Sequence, residues 1–368
     1  MIMQFLLAFI IIVILQSAVY SILAFRGFNY SCRLSYNKVN EGETIDFIET
    51  IENRRLLPML WLKVEARFHD TLLFTKNDNT RVSAGIFHRS VISMPPFRRI
   101  RRTYKIVCSK RGYYPLGSAT ITTGDLLGFS SKTMSFSSDA GLHVYPVPLK
   151  NTSIMLPSRS FMGDMVVRRY ILPDPFMPAG VRDYVPGDPL NIIHWKASAK
   201  TGELVVHRRE YTADSKLMVF FNIDYKAESW DAHDMIVIDT MENALRTLAY
   251  IFTLAAAHGQ QTALYTNSVS TRDRNEVTVP PAFGRVHNEG LFAAMAEMQF
   301  IRTRSYHMLL REAAENIKDM DILLMTRYLS AVMQTEIETL RRSGNKVEVF
   351  LIPESVTEQS PEGGGHDG

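Results

Sequence analysis

The first 25 residues carry no charged side chain, and their central run FLLAFIIIVIL is apolar on every face. Wound as a helix at about 1.5 Å per residue, such a stretch reaches about 37 Å, against about 30 Å for the hydrocarbon core of a bilayer. Residues 1–25 are therefore expected to be a transmembrane anchor. A cleaved signal peptide would want a basic stretch before the apolar run and a small-x-small site after it, and YSILAFRG supplies neither. No Lys or Arg precedes the run, while Arg26, Arg33 and Lys38 follow it. The positive flank places the N-terminus outside and the bulk of the chain in the cytoplasm, as a single-pass protein of the cell membrane.

The rest of the 368-residue chain is long and apolar enough for two folded domains. Its charge is divided. Residues 26–150 hold 19 basic and 10 acidic side chains, residues 151–368 hold 22 and 28. A basic module just after a membrane helix suits an anionic leaflet, where each nearby Lys or Arg gains about 1 kcal/mol. The densest basic run, FRRIRRTYK, alternates as a strand, with Arg99, Arg101, Thr103 and Lys105 on a wholly polar face. A nucleic-acid platform would interleave exposed aromatics, and a single tyrosine does not make one. No nucleic-acid partner is expected. Cys32 and Cys108 are the only cysteines, too few for a disulfide framework.

Two grammars share the remainder. From 30 to 150, short alternating runs such as CRLSYNKV, TIDFIETI, LWLKVEARF, IRRTYKIVC, SATITT and LHVYPV predict an antiparallel β-sandwich of seven or eight strands. From 216 to 355, apolar strands alternate with helical patterns: KLMVFFNID, a helix carrying Met241, Leu245, Leu248, Phe252 and Ala255, QTALYT, the helix NEGLFAAMAEMQF, DILLMT, a helix closed by Gly344, and KVEVFLI. This predicts an open, doubly wound α/β sheet, so the whole is an α+β multidomain chain. Residues 151–215 connect the two, and 356–368 read as a disordered tail. Ligands of such sheets lie at the carboxyl ends of the strands, in the loops NIDYKAES, TNSVS, TRYLS and PESV. Neither a dinucleotide fingerprint nor a P-loop follows any of these strands.

The connecting segment holds the densest chemistry, VRDYVPGDPLNIIHWKASAKTGELVVHRREY. It contains no nucleophile elbow, and no cysteine sits beside a histidine. Asp183, Asp188, His194 and His207 could be assembled into a metal-dependent hydrolase, the alternative function, but the two histidines lack helix-face spacing. More simply, VPGDP is a turn and Trp195 an anchor buried between modules.

Gly180, Arg182, Tyr184, Pro186, Gly187, Asp188, His194, Trp195, Lys196, Ser198, Ala199 and Lys200 form a string that resembles the signature of the bacterial membrane-associated family called domain of unknown function 58. RGYYPLGSATITTGDLLGF resembles the segment closing that family's β domain. The resemblance implies a membrane anchor, a β-sandwich and a domain similar to von Willebrand factor A. It also implies a scaffold or adaptor role beside a MoxR-type AAA+ ATPase, in some members with a transglutaminase-like membrane protein. Asn191 and Ile192 stand where the family commonly has arginines, and many members have two membrane helices. Von Willebrand A domains hold a divalent metal on D-x-S-x-S. Here Asn222 takes the place of the first Asp, Asp224 that of the first Ser and Lys226 that of the second, with Thr326 and Arg327 in a later loop. The site is thus expected to be degenerate, with no metal or cofactor.

The expectation as a whole is a non-enzymatic adaptor that binds its partner through Asn222, Asp224, Tyr225, Thr266, Asn267 and Thr326, with the signature residues mainly structural.

Overall fold

The computed structural model describes residues 2–74, 81–83, 87–116, 119–125, 128–137, 141–149, 181–184, 193–207, 216–225 and 235–353. The 356–368 tail, most of the 151–215 segment and, within it, Gly180, Pro186, Gly187 and Asp188 lie outside the described residues. The chain divides into two compact units, residues 1–147 with 295–297 and residues 148–294 with 298–368.

The first unit opens with α1 (Ile2–Leu23), the one described helix long and apolar enough to cross a membrane. Apolar all round, it has no stripe to bury and no polar face to keep wet. It ends at Leu23, and after a turn closed by Gly27, left-handed at φ 73°, the sheet begins at the next residue.

Twelve described strands follow: β1 (Phe28–Leu34), β2 (Lys38–Asn40), β3 (Thr44–Asn53), β4 (Met59–Arg67), β5 (Leu72–Phe74), β6 (Arg81–Ser83), β7 (Phe87–Met94), β8 (Arg98–Cys108), β9 (Gly112–Pro115), β10 (Ala119–Gly124), β11 (Ser131–Phe136) and β12 (Gly141–Tyr145). They pair as β1-β3-β8-β5, β11-β10-β4-β7-β6 and β2-β12-β9, antiparallel throughout except β2 with β12. Seven or eight strands were expected. The extra ones include β2, β5 and β6, three residues each, which are too short to show a period of two, and β11, whose residues are nearly all exposed. In β3 every second residue from Ile45 to Asn53 is buried. Tyr30 and Ile51 of the first sheet share a core with Leu62, Val64, Met94 and Ile121 of the second, and Phe47, Tyr104 and Ile106 share another with Leu142 and Val144 of the third. Each Leu, Ile or Phe so buried contributes about 2 kcal/mol. In β8 the alternation falls as expected: Arg99, Arg101, Thr103 and Lys105 are exposed while Tyr104, Ile106 and Cys108 are buried.

The described second unit starts with β13 (Val181–Asp183), α2 (Trp195–Thr201) and β14 (Val205–His207). It continues with β15 (Lys216–Phe221), α3 (Met235–Ala257), β16 (Gln261–Ser270), β17 (Glu276–Ala282), α4 (Arg285–Glu297), β18 (Met298–Arg302), α5 (Tyr306–Asn316), β19 (Asp321–Thr326), α6 (Ala331–Arg342) and β20 (Lys346–Leu351). The main sheet is ordered β17-β16-β15-β19-β20, with β15, β16, β19 and β20 parallel, β17 antiparallel at the edge and β18 paired to the far end of β16. Met218 and Phe220 pack under α5 and α6 through Leu309, Leu310, Met333 and Ile337. Leu217, Val219 and Phe221, pointing the other way, are equally buried, which is why β15 reads as an unbroken apolar run. Met241, Leu245, Leu248, Phe252 and Ala255 of α3 are all buried, as their spacing predicts.

Three expectations change here. QTALYT is the first part of a longer strand, since β16 runs to Ser270 where β17 and β18 extend its pairing. The helix NEGLFAAMAEMQF ends at Glu297, and Met298–Phe300 belong to β18. The helix α5 was not anticipated, although Tyr306, Leu309, Leu310, Ala313 and Ala314 recur at i, i+3, i+4, i+7 and i+8 and are its buried residues.

Candidate functional site

The strand β15 has β16 on one side and β19 on the other, so the chain builds outward from it in both directions. The carboxyl ends of β15 and β19 therefore meet at a point of reversal, the place where open parallel sheets bind ligands. Asn222 follows β15 there, and its backbone N–H still donates to Met325 O across the strands at 2.8 Å. Its side chain joins the two strand ends. Asn222 Nδ2 donates to Thr326 Oγ1 at 3.0 Å, and Asn222 Oδ1 accepts from Asp224 N at 3.0 Å and from Asn267 Nδ2 at 3.2 Å. Asn267 Oδ1 accepts from Ile223 N at 3.1 Å, and Thr326 Oγ1 donates to Tyr328 O at 2.9 Å.

Asn222, Thr266, Asn267 and Thr326 have no exposed surface, and Asp224 keeps 7%. Of the six residues expected to meet a partner, these five are thus buried and bonded inward, and Tyr225 alone stands half-buried at the rim. Thr266 and Asn267 are also not in a loop: they lie inside β16, and Asn267 O accepts from Thr303 N at 2.8 Å. The rim of the cluster is formed by Tyr225 together with residues of the TRYLS loop that were not among the six. Arg327 sets its guanidinium 4.3 Å above the Tyr225 ring, beside half-buried Tyr328 and Leu329.

Asp224 is the cluster's one carboxylate. Burial raises its pKa, while the charge of Arg302, whose Nη1 lies 3.7 Å away, and the backbone N–H of Tyr306 pull it back without cancelling the rise. Tyr306 is fully buried and donates its hydroxyl to Phe220 O at 2.9 Å; burial and Asp224 keep that hydroxyl protonated well beyond its ordinary range. Arg302 and Tyr306 come from β18 and α5, two of the elements that the sequence reading missed. The string QFIRTRSY, where apolar alternation gives way to a helical period, is the signal that could have found them.

This cluster does not suit a divalent cation. A hard cation wants several oxygens with at least one or two carboxylates. Asp224 offers one, already facing a guanidinium, and Asn222 Oδ1 already accepts two hydrogen bonds. Among the described residues no three of His, Cys, Asp and Glu stand together in a way that could hold a metal. Nor does the cluster pair a nucleophile with a base: Thr326 Oγ1 is engaged by an amide and a backbone carbonyl. A cavity of about 410 Å³ in the same unit, lined by Phe220, Tyr265, Glu276, Arg304 and Glu312 among others, has its charges paired internally, Arg304 to both glutamates.

The described part of the 181–207 signature is a small strand-helix-strand knot. Val181, Arg182 and Asp183 of β13 pair with β14, and Tyr184 N donates to Leu204 O at 2.9 Å. His194 caps α2, its Nδ1 accepting from Ala197 N at 3.1 Å, and buried Ser198 accepts from Val205 N at 2.9 Å through its hydroxyl. Lys196 and Lys200 are exposed. Trp195, expected to be buried, is 66% exposed, because α2 turns Ser198 inward and leaves its first residue on the outer side. His207 lies in β14 opposite Val181, and Asp183 is exposed.

Residues 180–362 match the family described as protein of unknown function DUF58. The chain is 22% identical over 214 residues to the uncharacterized protein YeaD of Bacillus subtilis (strain 168), covering 57% of this chain and 51% of that protein, so the match spans about half of the relative's length. Among solved structures, a CARDB domain from Pyrococcus furiosus is 11% identical and covers 33% of this chain and 96% of its own, at a TM-score of 0.21. A cohesin module from Clostridium perfringens is 11% identical and covers 32% and 96%, at 0.24. Likenesses this slight carry no argument about fold or function.

Proposed function

We propose that the chain is a membrane-anchored adaptor without catalytic chemistry of its own, which docks a protein partner on the strand-end surface of its α/β unit. The observation that carries the reading is the self-satisfied cluster of Asn222, Asn267 and Thr326. A buried network whose donors and acceptors meet one another holds backbone in place and leaves nothing to react. What it holds in place is the rim of Tyr225, Arg327, Tyr328 and Leu329, and aromatic and arginine side chains of this kind dominate binding energy at protein interfaces. On this reading α1 crosses the membrane once, and Arg26, Arg33 and Lys38 keep the two units in the cytoplasm.

The parallel sheet and its crossover helices support kinship with von Willebrand factor A domains, here with a cluster of amides where a metal would sit. The resemblance of the signature to the membrane-associated family suggests the partner, a MoxR-type AAA+ ATPase. A transglutaminase-like membrane protein is a further neighbour in the same assembly. The test is crosslinked capture of the tagged full-length chain from native membranes, beside an Arg327→Glu variant, with partners identified by mass spectrometry. An AAA+ ATPase enriched with the parent chain and reduced about tenfold with the variant is expected, the loss of one interface hot spot. Capture of the ATPase unchanged by Arg327→Glu would move the docking face elsewhere, and its absence from both samples would overturn the adaptor reading.

A further inference from the structure

The register of the first unit places three loops at the end of the sandwich where α1 enters. Phe28, the first residue of β1, lies opposite Asn53 at the end of β3, and Asn53 lies opposite Arg98 at the start of β8. Met59 of β4 lies opposite Met94 of β7, and Leu62 opposite Thr123 of β10. The links 54–58, 95–97 and 125–130 therefore lie at one end of the sandwich, 54–58 beside the last turn of α1 and Phe129 and Ser130 farther back along it, against Phe9–Ala18. The link 54–58 is tied to the helix and to the turn that follows it. The Arg55 guanidinium donates to Leu23 O, Tyr20 Oη donates to Pro58 O at 2.9 Å, and Arg54 N donates to Gly27 O at 2.9 Å. A cation on the last carbonyls of a helix also offsets its dipole. Phe97 N donates to Arg55 O at 3.2 Å, and Asn53 Nδ2 bonds both Leu57 O and Pro95 O, so two of the loops are bonded to each other.

Each loop turns a large apolar side chain outward: Leu56 is 75% exposed, Phe97 67% and Phe129 75%. Phe97 does so from a left-handed backbone, φ 51°, a conformation that a bulky residue rarely adopts. Phe129 also lines an apolar cleft with Val13, Ile14 and Ser17 of α1. Around them stand the exposed Arg26, Arg54, Arg98 and Arg99, with Glu52 as their acidic neighbour, paired to Arg54 at 2.8 Å and Arg99 at 2.9 Å. One exposed leucine on a surface needs no explanation; two apolar tips and a collar of arginines at the point where an apolar helix emerges, with a third tip farther back along that helix, do.

We infer that this end of the first unit is itself a membrane contact: Leu56 and Phe97 enter the headgroup region of an anionic leaflet, Phe129 follows α1 deeper, and Arg26, Arg54, Arg98 and Arg99 pair with the lipid phosphates. The bilayer is the occupant because the helix delivers it there and the charge is of the right sign. Held by helix and rim together, the β unit has one orientation on the membrane and does not swing from a single tether. The inference rests on the reading of α1 as an anchor.

The test reconstitutes the full chain in vesicles of phosphatidylcholine with a minority of phosphatidylglycerol, with or without brominated acyl chains. Phe97→Trp and Leu56→Trp report the rim against the background of the native tryptophans. Both variants should lose at least about twofold more emission to brominated lipid than the parent chain, as expected of residues in the interfacial belt. Adding Arg54→Glu and Arg98→Glu should remove about half of that excess. An alkaline carbonate wash separates the two ideas. No excess quenching in either variant, in a chain that stays with the membrane through the wash, overturns the rim and leaves the anchor standing. Release of the chain by the wash overturns both.

Discussion

Glu49 and Asp224 are buried carboxylates, one in each unit, and burial raises the pKa of both, yet they are held in unlike ways. Glu49 lies in the sandwich core, where Oε1 accepts from the Tyr30 hydroxyl at 3.1 Å and Oε2 is buried without a hydrogen-bond partner. Arg102, its cross-strand neighbour, attracts it from a half-buried position, less than burial penalises it. Asp224 instead has Arg302 within 3.7 Å, the Tyr306 N–H, and the amides of the strand-end cluster around it. A sandwich core offers a carboxylate side chains alone, because its backbone donors are spent on the ladders. The ends of parallel strands leave backbone N–H groups free to turn inward. The same residue class is therefore a burden in one unit and a joint in the other.

The sharpest way to break the comparison is Arg302→Ala, which leaves Asp224 buried without its cation. A loss of about 3 kcal/mol at neutral pH is expected in thermal unfolding of the full chain in detergent, shrinking on acidification as Asp224 takes up a proton. An equal loss at acidic and alkaline pH would show that Arg302 acts by packing. Next comes Glu49→Gln. The folded chain holds the Glu49 proton to higher pH than the unfolded chain does, so stability is highest below the unfolded pKa and falls as pH rises through the folded one. The amide removes that slope and should stabilise by about 1 kcal/mol above neutral pH. Unchanged stability there would mean that Oε2 is satisfied. The smallest effect is expected from Asp224→Asn, within about 0.5 kcal/mol, since the burial cost and the pairing with Arg302 are removed together. Were it to stabilise as much as Glu49→Gln, the two sites would be alike.

Legibility in the sequence followed the length scale of the interaction. The face of β8 carrying Arg99, Arg101, Thr103 and Lys105, the buried row of α3 and the unbroken run of β15 were all readable, because each depends on where neighbours along one element point. The short strands β2, β5 and β6 were not, since three residues show no period. In the strand-end cluster, the residue types and the ends of β15 and β19 were legible, whereas the expected loop TNSVS lies inside β16, and burial reversed the meaning of the residues. Asn222, Asn267 and Thr326 look like surface ligands in a loop and turn out to be partners of one another across 45 and 104 residues of chain. Trp195 erred in the other direction, a large aromatic expected inside and found outside.

By itself the sequence determined the apolar helix at the N-terminus, the division into a basic β region and an acidic α/β region, and the parallel run at the heart of the second. Hydrophobic periodicity and charge are local properties, and no later fold can cancel them. Only the tertiary structure decided which polar groups face each other: Arg302 and Tyr306 against Asp224, Arg55 against the end of α1, Leu56 beside Phe97. Those pairings depend on strand order and register, which are set when separate elements dock, and side chains far apart in sequence are then either closed upon one another or left facing outward.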